Sequence, residues 1–311
     1  MNNIDIYKGN CIETLKKIDN ESINTCITSP PYFGLRDYGV DGQLGLEDTP
    51  EQFVENLVNV FKEVKRVLRD DGTVWLNLGD SYARTSGDSS KKGRHWDDRK
   101  NNPNTGHNRY AKDIGLKQKD LVGIPWRVAL SLQQDGWYLR QDIIWHKPNP
   151  MPESVKDRCT KAHEYIFLLS KSPKYYFDNE SIKEDCITSG VATSPHKIKP
   201  VDGVNGSRDN LHKFKGTKKK NKRSVWKIST KPFKSAHFAT FPMDLIEPCV
   251  LAGCPKSGTV LDPFAGSGTT GIVAINNNRN AVLCELSDDY IEIAKNRISK
   301  QTTNNYDLKI I

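Results

Sequence analysis

The sequence of 311 residues predicts an α/β fold, a doubly wound and mostly parallel sheet with helices on both faces. Two observations predict it. Short apolar segments alternate with segments of helical period near both ends of the chain. A glycine-dense turn, residues 266 to 271, joins one such apolar segment to the helical segment after it. The C-terminal strand–helix–strand–helix piece is too small to fold alone, because two strands cannot bury both their faces. It must share one sheet with the N-terminal units, so the polar stretch between them interrupts the sequence and not the core.

The elements follow in order. "NIDIYKG" reads as a strand, "CIETLKKI" as a helix and "SINTCIT" as the next strand. Thr49-Pro50-Glu51-Gln52 reads as a capping box with proline at the first helical position. Phe53, Leu57, Phe61, Val64 and Leu68 then recur at helical spacing, and Asp70-Asp71-Gly72 is the expected stop. "TVWLNLGDSY" is a strand with a polar end. Residues 83–118 have no period and predict a long loop, which in a compact domain is commonly functional. "IPWRVALSLQQ" predicts a helix and "WYLRQDIIWHK" a strand. "HEYIFLLS" and "KYYFD" read as a strand pair or hairpin. From residue 179 to 236 the pattern dissolves into polar and basic residues, an inserted region. "MDLIEPCVLAGC", "GTVLDPF", "TTGIVAINNN", "NAVLCEL" and "DDYIEIAKNRIS" complete the chain as helix, strand, helix, strand, helix. The organisation expected is 1–178 as the catalytic part of one domain, 179–236 as the insert, and 237–311 as the remainder of the same domain.

Composition narrows the class of function. The formal net charge is +8. Residues 196–234 carry thirteen Lys/Arg against two Asp, and residues 83–118 carry nine against four, while the rest of the chain is acidic. Internal basic segments flanked by patterned sequence point to a polyanion-binding surface. No apolar run approaches the ~20 residues that span a membrane. The start lacks a basic region followed by an apolar run, so no signal peptide is expected. None of the seven cysteines forms a C-x-x-C pair, which argues against a zinc site or a disulfide framework. A reducing cytoplasm, of a prokaryotic cell or one expressing a phage gene, is the compartment expected.

Two motifs carry chemistry. "LDPFAGSGTTG" lies at a strand-to-helix junction, with Gly266, Gly268 and Gly271 in G-x-G-x-x-G spacing and Glu285 at the end of the next strand. By pattern this fits a dinucleotide site. The charges argue otherwise: Asp262 stands at the strand tip, and no Lys or Arg lies between Thr259 and Asn278. A carboxylate repels a pyrophosphate and suits a cationic ligand such as S-adenosylmethionine. Glu285 can accept from ribose hydroxyls. The second motif is "ITSPPYFG", in which a strand ends at Ser29-Pro30-Pro31-Tyr32. Proline fixes its own φ and restricts the residue before it, so this loop is stiff.

With "TSPPY" and "DPFAGSGTT" both present, the chain resembles the amino-DNA methyltransferases, which methylate an exocyclic base amine from S-adenosylmethionine. The catalytic motif precedes the glycine motif, an order similar to the circularly permuted beta group, and the resemblance runs over most of the chain through "RVLRDDGTVWLNLGDSY", "IIWHKPNPMPESVKDRCTKAHEYIFLLSKS" and "HFATFPMDLIEPCVLAGCPKSGTV". It implies a Rossmann-like methyltransferase fold. By position it implies that Asp262, Phe264, Gly266, Ser267 and Gly268, with Thr269 opening the helix, hold the methionine part of the cofactor. Glu285 would hold the ribose, and Phe238, Thr240 and Phe241 would line the far side of that pocket. Asn10 stands where the family usually offers an Asp to the adenine amine.

The resemblance also implies a mechanism. An exocyclic amine is a poor nucleophile because its lone pair is delocalised into the ring. Ser29 Oγ and the Pro30 carbonyl, held rigid by Pro30 and Pro31, would accept its two N–H bonds and localise that lone pair. Tyr32 would stack on a base flipped out of duplex DNA. Transfer is then direct, and Cys249 is read as a core residue and not as a nucleophile. Family members with Ser at the first position mostly methylate cytosine N4 and those with Asp mostly adenine N6, so Ser29 favours cytosine. Asp80, at a strand tip facing the same crevice, orders a loop or caps the next turn. Trp145-His146-Lys147 and His163-Glu164 are read as wall. Phosphate contacts are expected from Arg94, Arg99, Arg208, Lys213, Lys215, Lys218, Lys219, Lys220 and Arg223. Double-stranded DNA is the expected partner, in a restriction-modification setting with a restriction endonuclease on the same site. The competing readings are a methyltransferase of RNA or protein glutamine, a dinucleotide-dependent oxidoreductase, and a non-catalytic DNA-binding protein of this fold.

Overall fold

The computed structural model describes residues 2–35, 37, 39–83, 114–186, 219–230 and 241–311. In chain order the elements are β1 (Asn2–Lys8), α1 (Cys11–Leu15), β2 (Ile23–Thr28), α2 (Pro50–Val67), β3 (Leu68–Leu78), α3 (Ile124–Gln134), β4 (Tyr138–His146) and β5 (His163–Ser170). After a 3-10 turn (Glu180–Ile182) come β6 (Glu184–Asp185), β7 (Lys219–Lys220), β8 (Val225–Lys227), α4 (Met243–Gly253), β9 (Thr259–Asp262), α5 (Thr269–Asn276), β10 (Asn280–Glu285), α6 (Asp288–Gln301) and β11 (Tyr306–Ile310). A nine-stranded sheet runs β11-β1-β10-β9-β2-β3-β5-β4-β8. Only β5 runs antiparallel to its neighbours. This is the doubly wound, mostly parallel sheet that the alternation predicts.

The two faces are covered by different parts of the chain. Cys11 and Leu15 of α1, Phe53, Leu57 and Phe61 of α2, and Val128 and Leu132 of α3 build one core. Leu245 and Val250 of α4, Ile272 and Ile275 of α5, and Ile291 and Ile298 of α6 build the other. The N-terminal helices therefore cover one face and the C-terminal helices the opposite one. Thr49 caps α2 by accepting from the Gln52 N–H at 3.2 Å, with Pro50 next, as the capping motif requires.

Sequence expectation and structure part in several places. The α2 helix stops at Val67, before Asp70-Asp71-Gly72, and the chain passes at once into β3, so those residues open a strand. "KYYFD" is not a strand. Its backbone is held by single bonds, Tyr176 N to the Asp71 carbonyl and Asp178 N to the Ala252 carbonyl, while Phe177 stacks on Trp75. The antiparallel partners of β5 are β3 and β4 instead. Part of the 179–236 segment joins the main sheet: β8 pairs in parallel with β4 and buries Trp226.

The order of strands fixes where a site can form. The chain passes from β2 to β3 through α2 on one face, and from β9 to β10 through α5 on the other. Neighbouring strands β2 and β9 thus send their following segments in opposite directions. That reversal opens a crevice at their carboxyl ends, the position where open α/β sheets bind ligands.

Candidate active site

The loops after β2 and β9 carry the two motifs, and both open into one cavity of about 400 Å³. Ser29, Pro30, Pro31 and Tyr32 line it from one side, with Phe264, Gly266, Ser267 and Thr269 opposite and Glu285 at the end of β10. Residues 234 apart in sequence are joined beneath it, for Thr28 Oγ1 donates to Asp262 Oδ1 at 2.6 Å.

Asp262 sits elsewhere than its motif position implies. It does not line the cavity; the side chain is 0 % exposed. Besides Thr28 it accepts from Thr270 Oγ1 at 2.6 Å and from Phe264 N at 3.1 Å. Burial pushes its carboxyl up to about 6, against the hydrogen bonds that pull it down. It therefore braces the loop from below and meets no ligand charge directly. Gly268 also lies behind the cavity wall. Its φ of +75° and the 3.0 Å between a Cβ placed there and Ala294 leave room only for glycine.

The remaining cofactor-pocket expectations divide. Glu285 Oε2 accepts from Gly266 N at 2.7 Å and Oε1 from Ser287 N at 2.9 Å, which ties the glycine loop to β10 and orients the carboxylate. Burial raises its pKa, an effect the backbone N–H donors oppose. Asn10 lines the cavity, and its Oδ1 caps α1 by accepting from Ile12 N at 3.0 Å. Phe241 lines it too, whereas Phe238 and Thr240 lie outside the described residues. A basic side chain that the sequence around the motif lacks arrives from α6. Arg297 Nη1 donates to the Ser267 carbonyl at 2.8 Å, to Ser267 Oγ, and to Thr269 Oγ1 at 3.0 Å.

The far wall is built by β3, β4 and β5. Tyr32 Oη donates to Glu164 Oε2 at 2.8 Å and lies 3.3 Å from Asn77 Oδ1. Asn77 Nδ2 donates to the same Glu164 oxygen at 3.2 Å, and Lys147 pairs with Oε1. Trp145, Lys147 and Glu164 line the cavity, while His146 and His163 do not. Burial, reinforced by Lys161, pushes the His163 imidazole down toward its neutral form. Asn77 and the role of Glu164 are not legible in the sequence because their partners come from separated parts of the chain, the loop after β2, the strands β3 and β5, and the residue after β4. Asp80 caps α3: its carboxylate accepts from Gly123 N at 3.0 Å and from Ile124 N at 3.2 Å. Cys249 is buried in α4, and burial pushes its thiol up, as a core cysteine requires.

Of the expected DNA contacts, Arg94, Arg99, Arg208, Lys213, Lys215 and Lys218 lie outside the described residues. Lys219 and Lys220 form β7, paired with Glu184 and Asp185 of β6. Arg223 Nε is 3.0 Å from Glu184 Oε2, so its charge is already met by a carboxylate.

A family model described as "DNA methylase" matches residues 23–296. The type II methyltransferase M.Cfr9I of Citrobacter freundii is 45% identical over 304 residues, covering 98% of this chain and 90% of its own. Among solved structures, the PvuII DNA methyltransferase (cytosine-N4-specific) superposes with a TM-score of 0.63 at 20% identity, over 98% of this chain and 95% of that one. The M1.HpyAVI–SAM complex does so at 0.54 and 18%, over 95% and 98%.

Proposed function

The chain belongs to the DNA methylase family that modifies exocyclic amines with S-adenosylmethionine, and from that premise we propose that it methylates N4 of cytosine in duplex DNA, at a specific site. One observation carries the reading: Ser29-Pro30-Pro31-Tyr32 and the glycine loop face each other across one cavity at the reversal point of the sheet. Ser29, at the position where adenine-directed members mostly have Asp, supports cytosine over adenine. A dinucleotide oxidoreductase is excluded by the family.

The residues present fit the cofactor. Glu285 is an oriented carboxylate suited to ribose hydroxyls, the Gly266–Ser267 backbone permits close approach, and Phe241 and Phe264 offer apolar surface. When bound, S-adenosylmethionine supplies an electrophilic methyl group on a sulfonium. The protein's part is positioning. Ser29 Oγ and the Pro30 carbonyl accept the N–H bonds of the base amine, and the proline pair keeps these acceptors from having to reorganise. Tyr32 gives the flipped base a face to stack on. The buried Cys249 supports direct transfer without a covalent enzyme intermediate. Residues 179–236 serve as the target-recognition region, and a restriction endonuclease of the same specificity is the functional counterpart.

The test is to incubate the protein with labelled S-adenosylmethionine and mixed-sequence duplex DNA and digest to nucleosides. Label in N4-methylcytosine is expected. Label confined to N6-methyladenine overturns the choice of base, and no label in DNA overturns the proposed activity.

A further inference from the structure

The wall opposite the glycine loop contains a connected polar array that the transfer reaction itself does not use. We infer that Glu164 is a positioning residue that anchors the far end of the Tyr32 ring, and through it the place at which a flipped base can stack. The inference rests on the reading of the cavity as an amino-methyltransferase site.

A stacking platform orients its guest only if the ring is held both at its far end and against rotation. Two independent constraints fix this ring. The ring packs closely on Gly79, where an added Cβ would come within 2.5 Å of Tyr32 Cε2. The hydroxyl donates to Glu164 Oε2 at 2.8 Å, with Asn77 Oδ1 at 3.3 Å. Packing against Gly79 limits rotation of the ring about its long axis, and the hydroxyl bond, which lies on that axis, fixes where the far end of the ring stands.

Glu164 is itself held on both oxygens. Asn77 Nδ2 donates to Oε2 at 3.2 Å and also to the Tyr165 carbonyl at 3.0 Å, which locks the amide. Lys147 pairs with Oε1, and its ammonium lies 4.2 Å from the Trp145 ring centroid. The Lys147 and Glu164 side chains are only 19 % and 15 % exposed. A carboxylate so enclosed requires such a partner, and once paired it is a stronger acceptor for the tyrosine O–H than a neutral group. The strands supplying this array are rigid: Asn77 stands across from Ile166 and His146 across from His163 in the β3, β5 and β4 ladders. Two strand positions, Asn77 and Glu164, and Lys147 just past the end of β4 thus hold one phenol.

The test combines Tyr32→Phe, which keeps the ring and loses the hydroxyl, with Glu164→Gln, singly and together. Each single variant is expected to lower kcat on DNA by ~10–100-fold, the scale of a small misplacement of reacting groups. S-adenosylmethionine affinity should stay within about twofold, because neither change touches the glycine loop, and this doubles as the check on folding. The double variant should be no more than ~3-fold slower than the slower single, because both changes break the same link. Multiplying effects, or a Glu164→Gln enzyme as fast as the parent, overturn the inference. Should Glu164→Gln fail to fold, Glu164→Asp replaces it in the same cycle with the same criteria. If the parent protein labels no DNA, the proposed function fails instead, and the two failures are thereby distinguished.

Discussion

Asp262 shows how a single side chain can be noticed in a sequence and still be assigned the wrong partner. Its place at a strand tip before the glycines is legible, and a ligand cation was the expected neighbour. The structure gives it Thr28, Thr270 and the Phe264 N–H instead. Nothing local could reveal Thr28, which lies on a strand from the other end of the chain. Burial holds the proton on this carboxyl up to about pH 6, against 3.8 for the free group. The folded state binds that proton more tightly than the unfolded chain, so this group favours folding most below about pH 4. Its contribution declines as pH rises from about 4 to about 6, by roughly 3 kcal/mol. Asp262→Asn is therefore expected to flatten the dependence of Tm on pH in that window. At pH 7.5 it should match or exceed the parent, since an amide can accept from Thr28 and donate to Thr270. Asp262→Ala strands those hydroxyls and should cost about 3 kcal/mol or more. Thermal melts of the three proteins across pH 4–8 check this.

At the scale of elements, local signals succeeded where one segment determines its own state. The Thr49-Pro50 cap and the buried spacing of Phe53, Leu57, Phe61 and Val64 identify α2, and the α3 span falls on the predicted stretch. They failed where a neighbour decides. The "KYYFD" segment has strand composition but finds no edge to pair with, because β5 is already flanked by β3 and β4. β11 went unread although Tyr306, Leu308 and Ile310 alternate, since its five residues gain order only by pairing with β1. The α3 helix offers a prediction at this scale. Its cap residue is Gly123, which has no side chain, and Asp80 supplies the missing acceptor from the end of β3. Asp80→Ala should lower stability by about 1–2 kcal/mol. Hydrogen exchange should show faster opening of the Gly123 and Ile124 amides, with the centre of the sheet unaffected.

For the molecule as a whole, the sequence order of the motifs and the single sheet shared by the two ends of the chain were both legible. The participation of β8 in that sheet was not, because three residues amid polar sequence carry no period. Charge acts at this scale as well. Lys219 and Lys220 extend from the short β6–β7 ribbon, and each Lys→Gln change there should weaken DNA binding and reduce the salt slope by about 1. Arg223→Gln should change the slope less, since Glu184 already neutralises Arg223. Binding isotherms at several salt concentrations separate the two cases.

The seam between β2 and β9 has a consequence in time. Thr28 and Asp262, neighbours in the fold, leave the ribosome 234 residues apart. The proline loop is synthesised early, yet its opposing wall does not exist until the last quarter of the chain has emerged. Closing so long a loop is slow relative to forming local contacts. The two N-terminal units can collapse onto α1 and α2 first, but β9 and β10 must then insert together between β1 and β2 at the middle of the sheet. Methylation competence is thus a late event of folding, and a nascent or truncated chain carries the proline loop without any crevice for it to serve.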